Sequence, residues 1–284
     1  MMPMNIKAYA KINLTLEITG KRADGYHLLR MVMQSVSLCD ELILTRDKPG
    51  IRVFSDRGDV PCDESNTAYK VARAFYLHAG IEPKLTVSIK KTIPSQAGLG
   101  GGSADAAAVL LALNKMYSTG FSKKTLCEIG LTVGADVPFC VLGGTALAQG
   151  IGEQLTALPP IPPCHIFICK PPIGVDTKKA YALADRAPKT SGSYSASMVN
   201  AIQEEKLSLI AERLGNEFED VMNLTEVAFI KNAMISMGAL GASMTGSGSA
   251  VFGIFDEQSK ASVCKEELSK EYAEVFLCEP LRQL

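Results

Sequence analysis

The stretch IPSQAGLGGGSADAAAVLLALNK, residues 93–115, sets four glycines directly ahead of an alanine- and leucine-rich run. Gly98, Gly100, Gly101 and Gly102 are costly to order, because glycine loses more conformational freedom on folding than any other residue. The Ala, Leu and Lys residues that follow are among the best helix formers. Bare backbone followed by a helix suits a ligand that must come close to the main chain. A helix N-terminus carries unpaired N–H groups and about half a positive charge, a combination that favours phosphate. The pattern predicts a helix over 103–116 with Ser103 near its start, where the hydroxyl can cap the helix or meet a phosphate. The loop is not a Walker A loop, since no Lys-Ser or Lys-Thr follows its glycines. Gly98-x-Gly100-x-x-Ser103 also lacks the third glycine of the dinucleotide fingerprint.

Upstream of the loop, NIKAYAKINLTLEITG alternates at the period of a strand. Ile6, Ala8, Ala10, Ile12, Leu14, Leu16 and Ile18 share one face; Asn5, Lys7, Tyr9, Lys11, Asn13, Thr15 and Glu17 share the other. Lys11 and Asn13 therefore project together. KRADGYHLL reads as a turn centred on Asp24-Gly25, and 32–46, 51–54 and 84–91 read as further strands. Helical patterns cover about 66–79 and 122–132, and GGTALAQGIGEQLTAL reads as a hairpin. LPPIPP (158–163) cannot sustain a helix or a central strand, because each proline fixes φ and lacks an N–H. It is the expected boundary between domains at 1–158 and 164–284. Beyond it come a strand at 165–170, a helix near 176–185, two long helical patterns near 196–214 and 217–238, a glycine-rich loop, the strand AVFGIF, and a final helix and strand. APKTSGSYSA (187–196) reads as a mobile loop. Mixed elements in two successive halves indicate an α+β fold.

Composition narrows the function classes. The 284 residues are 47% hydrophobic and 21% charged, enough for a substantial core. Lys plus Arg number 29 and Asp plus Glu 30, so the chain as a whole has no attraction for nucleic acid or an anionic membrane. No apolar run reaches the ~18 residues of a membrane span. The eight cysteines are scattered without a C-x-x-C, and His27, His78 and His165 are the only histidines. That inventory offers no zinc-site spacing, excludes the H-R-D loop of protein kinases, and fits buried reduced thiols in a cytoplasmic protein.

PSQAGLGGGSADAAA resembles the P-x-x-x-G-L-G-S/G-S motif of the GHMP kinases, small-molecule kinases named for galactose, homoserine, mevalonate and phosphomevalonate. KAYAKINLTLEITGKRADGYHLL (7–29) is similar to the family's N-terminal motif, and GASMTGSGSAVFGIF (241–255) to its C-terminal glycine-rich motif. Together the three span nearly the whole chain. The resemblance implies a ribosomal-S5-like N-terminal domain, a ferredoxin-like α/β sandwich C-terminally, and an active site in the cleft between them. It also implies ATP and Mg²⁺ as cofactors and a small-molecule alcohol as acceptor. The first motif, followed by MQSVSLCDEL, is similar to the branch that phosphorylates the 2-hydroxyl of a CDP-linked methylerythritol on the non-mevalonate route to isoprenoids. GADVPFCVLGGTALAQGIGE (134–153) matches that branch's aspartate-containing stretch.

Carried onto this sequence, the resemblance implies a nucleotide cradle of Pro94, Ser95, Gln96, Ala97, Gly98, Leu99, Gly100, Gly101, Gly102, Ser103 and Ala104, with Asn66 and Asn114 at the adenine or ribose. Asn66 reads equally well as a helix cap. Asp136 would be the general base and Lys11 its partner, holding the carboxylate ionised and lowering the pKa of the acceptor hydroxyl. Asn13 would meet the acceptor's hydroxyls. Tyr26, His27 and Tyr181 would receive the cytosine by stacking and edge hydrogen bonds. Thr245, Gly246, Ser247 and Gly248 form a second bare loop that would close over phosphates or substrate, and Asp176-Thr177 reads as a helix start. Another GHMP kinase with a different acceptor, or a non-catalytic nucleotide sensor on this scaffold, fits the same machinery less well: the first has no need of Tyr26-His27, the second none of Lys11 and Asp136. An RNA-binding module is disfavoured by the balanced charge.

Overall fold

The long first strand organises the molecule. In a computed structural model describing residues 3–187 and 194–282, β1 (Met4–Lys21) turns through Asp24-Gly25 into β2 (His27–Thr45) as an antiparallel hairpin. Gly25 takes φ +90° at the turn, a conformation that glycine adopts without steric cost. The predicted alternation holds at both ends of β1, but its centre is buried on both faces: Lys11, Asn13, Thr15 and Glu17 are as inaccessible as Ile12 and Leu14. The polar face is thus covered by protein, and the site described below lies there. Register shifts between Tyr9 and Lys11, Asn13 and Thr15, and Ile18 and Gly20 bend the ribbon around it.

β3 (Gly50–Ser55) and β4 (Lys84–Lys90) pair in parallel across the crossover helix α1 (Thr67–Ala79), and β4 joins β2. α2 (Gly101–Tyr117) packs along β1 and β2, with α3 (Lys123–Leu131) and the short α4 (Val137–Leu142) beside it. Helix α2 starts earlier than position 103, because Gly101 and Gly102 occupy its first turn. The hairpin β5 (Thr145–Gly150) and β6 (Gln154–Ala157) extends the sheet from β2.

The prolines of 158–163 lead into β7 (His165–Lys170), a strand of the second sheet. After α5 (Thr177–Ala184) the chain differs from the sequence expectation. The pattern at 196–214 forms two helices, α6 (Tyr194–Gln203) and α7 (Leu207–Glu212), separated where Glu205 takes φ +53°. The pattern at 217–238 likewise divides into α8 (Glu217–Met222) and α9 (Thr225–Ser236) at Asn223, φ +45°. Between the pairs, β8 (Gly215–Asn216) crosses back to lie parallel to β1 in the first sheet. The start of the expected glycine-rich loop is a strand, β9 (Gly241–Met244). It pairs with β10 (Val251–Phe255), and α10 (Gln258–Leu268) and β11 (Glu274–Cys278) complete the order β11-β7-β10-β9. Helices α9 and α10 cover this sheet. Of the segment 187–196, residues 188–193 lie outside the described residues, and 194–196 begin α6. The architecture is α+β, two sheets each backed by helices. All eight cysteines are free; five are buried, whereas Cys62 is exposed.

Candidate active site

Two bare loops meet at the buried face of β1. The first, 93–100, enters α2 through Gln96, Gly98 and Gly100, at φ +51°, +74° and +71°. Lys11 N–H donates to Leu99 O at 3.0 Å and moors the loop to β1. The second loop, Thr245–Gly248, lies against it backbone to backbone. A Cβ on Gly98 would stand 2.1 Å from Thr245 O, and one on Gly246 would stand 2.8 Å from Gly98 Cα. Ala250 N–H donates to Ala97 O at 3.2 Å, and the Thr245 hydroxyl donates to Gly98 O at 3.2 Å. Here glycine is needed for close approach as well as for its φ.

The N-terminus of α2 has no side-chain cap, whereas Asn66, Ser122, Asp176 and Asn216 cap α1, α3, α5 and α8. The first N–H groups of a 17-residue helix are therefore left for another partner. A cleft of about 400 Å³ opens there, walled by 93–103, Asp59–Pro61 and Ser65–Thr67. This form and charge suit an anionic phosphate chain.

Lys11 extends from β1 to the foot of the loop, its Cγ 3.0 Å from where a Cβ on Gly100 would lie. Its side chain is 5% exposed, and its ammonium donates to Asn13 Oδ1 at 2.7 Å and stands 3.5 Å from Asp136 Oδ2. Asp136 immediately precedes α4 yet makes no capping bond, so its carboxylate is turned to Lys11 and to open space, 32% exposed. A buried cation, a partly open carboxylate and an adjoining loop of bare amides are parts a phosphoryl transfer can use.

Asn13 departs from expectation. It is fully buried, and Oδ1 accepts from Lys11, from Gly246 N–H at 3.0 Å and from the Thr245 hydroxyl at 3.3 Å. Its amide oxygen holds Lys11 and the second loop, and its Nδ2 donates to Met31 Sδ at 3.3 Å. Asn66 lines the cleft, but both ends of its amide are engaged, by Ala68 N–H at 2.8 Å and Pro61 O at 2.6 Å. It is a helix cap. Asn114 lies at the far end of α2, where it accepts from Thr119 and Phe121 and donates to Phe121 O. Asn114 is not among the residues that wall the cleft.

The aromatic group is assembled differently from the expected sandwich. The His27 imidazole stacks on Tyr181, centroids 4.3 Å apart and planes 18° apart, so that ring face is already occupied. Tyr26 stands beside it with 62% of its surface exposed. Burial, and then the nearby charge of Asp136, raise the Tyr181 phenol to about 12. Thr177 Oγ1 lies 2.9 Å from Ser247 Oγ and joins the start of α5 to the second loop.

Sequence reasoning missed a buried charge cluster beneath the cradle. Lys91 Nζ contacts Asp40 Oδ2 at 2.5 Å and Asp105 Oδ2 at 2.8 Å, while Asp40 Oδ1 accepts from Thr92 and Ile93 N–H. Asp105 Oδ1 is buried without a partner. Burial first, and the neighbouring Asp40 charge, raise its carboxyl to about 7 against the pull of Lys91. The three residues come from separate elements, and no local pattern announces them.

With this geometry in place, comparison with known proteins decides the family. The models "GHMP kinases N terminal domain" and "GHMP kinases C terminal" match residues 66–144 and 198–274. The chain belongs to the GHMP kinase family. It is 42% identical to 4-diphosphocytidyl-2-C-methyl-D-erythritol kinase of Clostridium botulinum strain Eklund 17B over 96% of this chain and 99% of that one. The corresponding protein of Clostridium beijerinckii is 41% identical over the same shares. A solved 4-(cytidine 5'-diphospho)-2C-methyl-D-erythritol kinase superposes with a TM-score of 0.81 at 31% identity, over 98% of this chain and 99% of that one. A homoserine kinase from Cytophaga hutchinsonii, 22% identical with a TM-score of 0.76 over 98% and 95%, shares the fold. This GHMP kinase is a small-molecule kinase that uses ATP and phosphorylates an alcohol. No helix among its described residues is long and apolar enough to cross a membrane.

Proposed function

We propose that this chain transfers the γ-phosphoryl group of ATP to the 2-hydroxyl of 4-diphosphocytidyl-2-C-methyl-D-erythritol, a step of non-mevalonate isoprenoid precursor biosynthesis. The observation that carries the chemistry is the Lys11–Asp136 pair, 3.5 Å apart, set against the glycine loop. The cytidyl acceptor rests on the near full-length likeness to enzymes of that name.

The amides of 98–103 and the uncapped start of α2 hold the nucleotide phosphates. The acceptor hydroxyl lies at Asp136, which takes its proton as the oxygen bonds to the γ-phosphorus and the β,γ-bridging bond breaks, releasing ADP. Lys11, 3.5 Å from Asp136, orients the carboxylate and stabilises the developing negative charge on the oxygen. Magnesium is usually bound through one or two carboxylates plus substrate phosphates and water; here the Ser103 hydroxyl, in the first turn of α2, would serve as a protein ligand. When bound, the ion neutralises charge on the phosphates. Tyr26 offers an open ring face for the cytosine, and His27 an edge for hydrogen bonding. Residues 1–158 and 164–284 form the two domains of this reading, and the cytoplasm is its setting.

The test is ADP release from Mg·ATP with the cytidyl acceptor beside mevalonate, homoserine and galactose. Turnover with the cytidyl compound alone is expected. Turnover with one of the others would keep the machinery and overturn the acceptor; none with any would likewise overturn the cytidyl acceptor.

A further inference from the structure

The Tyr26–His27 cluster holds a residue that the proposed chemistry does not use. Asp185, at the end of α5, meets His27 Nε2 with Oδ1 at 2.7 Å and Lys21 Nζ with Oδ2 at 2.6 Å. Tyr181 and Asp185 are one helical turn apart, so α5 grips one imidazole with a ring on its face and a carboxylate on its edge. The His27 side chain is only 10% exposed within that grip. Its bond is one of two from Asp185 that fasten the C-terminal half to the β1–β2 hairpin.

A carboxylate accepts hydrogen bonds and cannot donate them, so this contact requires the proton of the neutral ring on Nε2. The remaining nitrogen, Nδ1, is then an acceptor. The exocyclic amine of an aminopyrimidine is a donor and satisfies it. An oxopyrimidine such as uracil presents a carbonyl at the same position and sets acceptor against acceptor. Sites built on a polar contact of this kind discriminate well, because the wrong ligand leaves a desolvated group unpaired.

We propose that Asp185 is a positioning residue for base specificity: by fixing the His27 tautomer it selects a cytidyl over a uridyl acceptor. The proposal rests on the cytidyl reading given above. Lys21 contributes by holding the carboxylate ionised and in place, its ammonium being the larger cause, with His27, of the lowered Asp185 carboxyl. Asp185 touches no reacting atom and acts through His27 alone.

Two measurements test this. Nitrogen-15 NMR of the three histidines, with His27→Gln for assignment, reads the tautomer without any substrate. The Nε2–H form is expected in the wild type at pH 8 and a mixture in Asp185→Ala; a wild-type ring protonated on Nδ1, or on both nitrogens, overturns the proposal. The second measurement is kcat/KM for the cytidyl acceptor and its uridyl analogue. Asp185→Ala should lower the preference for cytidyl by at least about tenfold, with kcat and the KM for ATP unchanged and Tm close to wild type. Loss of affinity for both acceptors with an unchanged ratio would leave Asp185 a mere tether and overturn the proposal. Turnover of the wild type with the cytidyl acceptor separates the two conclusions: without it the function falls, whereas with it and an unchanged ratio only the role of Asp185 does.

Discussion

Asp136 occupies a position where aspartate normally caps a helix, yet its side chain bonds no α4 amide. A carboxylate left out of capping and set 3.5 Å from a buried ammonium is available to take a proton. Asp136→Asn keeps the shape and removes the proposed base. We expect kcat to fall by about 10²–10⁴, with the KM for ATP little changed in steady-state assays; near-normal turnover would remove Asp136 from that role. Gly98 tests the other side of the site. Gly98→Ala must both hold φ +74° and place a methyl 2.1 Å from Thr245 O. Urea unfolding should show a loss of at least about 2 kcal/mol, and ATP affinity should fall with it. Stability equal to wild type would mean that the two loops separate freely.

At the scale of elements, the charge cluster of Asp40, Lys91 and Asp105 ties the strand end at 90–93 to α2. The Asp105 carboxyl is raised from 3.8 to about 7 in the folded protein. Between those values the native state keeps a proton that the unfolded state has released, so stability is lost as pH rises toward 7 and levels off above it. Relative to Asp105→Asn, wild-type Tm should therefore drop across that window and run parallel above it. A gap that widens in favour of wild type would show Lys91 holding Asp105 ionised instead. Little of this cluster was legible beforehand, because Asp40 and Lys91 are 51 residues apart in sequence. Local order was far more legible: the alternation of β1, the Asp24-Gly25 turn and the glycine-to-helix transition of 93–115 each follow from spacing. Apolar periodicity at 196–214 and 217–238 did not reveal the breaks at Glu205 and Asn223, since a single residue at positive φ interrupts a helix without disturbing its pattern. Asn66 and Asn114 show the same limit at the site: an amide that caps a helix or closes a loop has the same sequence signature as one that binds a ribose.

Across the whole molecule, the site is held by bonds between distant parts of the chain. Asn216, at the edge of the first sheet, caps α8 and donates to Met244 O at 2.8 Å and Gly246 O at 2.9 Å. The Thr15 and Ser195 hydroxyls meet at 2.9 Å, and Val36 bridges to Pro280. Asn216→Ala removes a cap and two buried bonds and should cost about 2–4 kcal/mol in urea unfolding. It should also raise the KM for ATP, through displacement of the second loop. A stability loss with unchanged kinetics would show that the loop is held by Asn13 and Thr245 alone.

The contact of Gly98 with Thr245 and Gly246 has a consequence for how such a chain can vary over time. Where Gly98 meets Thr245 and Gly246 the contact is backbone on backbone, so a bulkier residue at either glycine cannot be accommodated by a rotamer change on the other side. Only movement of a backbone would make room, and that backbone is the one proposed to hold the nucleotide. The two glycine stretches, nearly 150 residues apart, are in effect inherited as one unit: drift in either is checked by the other long before any ligand enters the cleft.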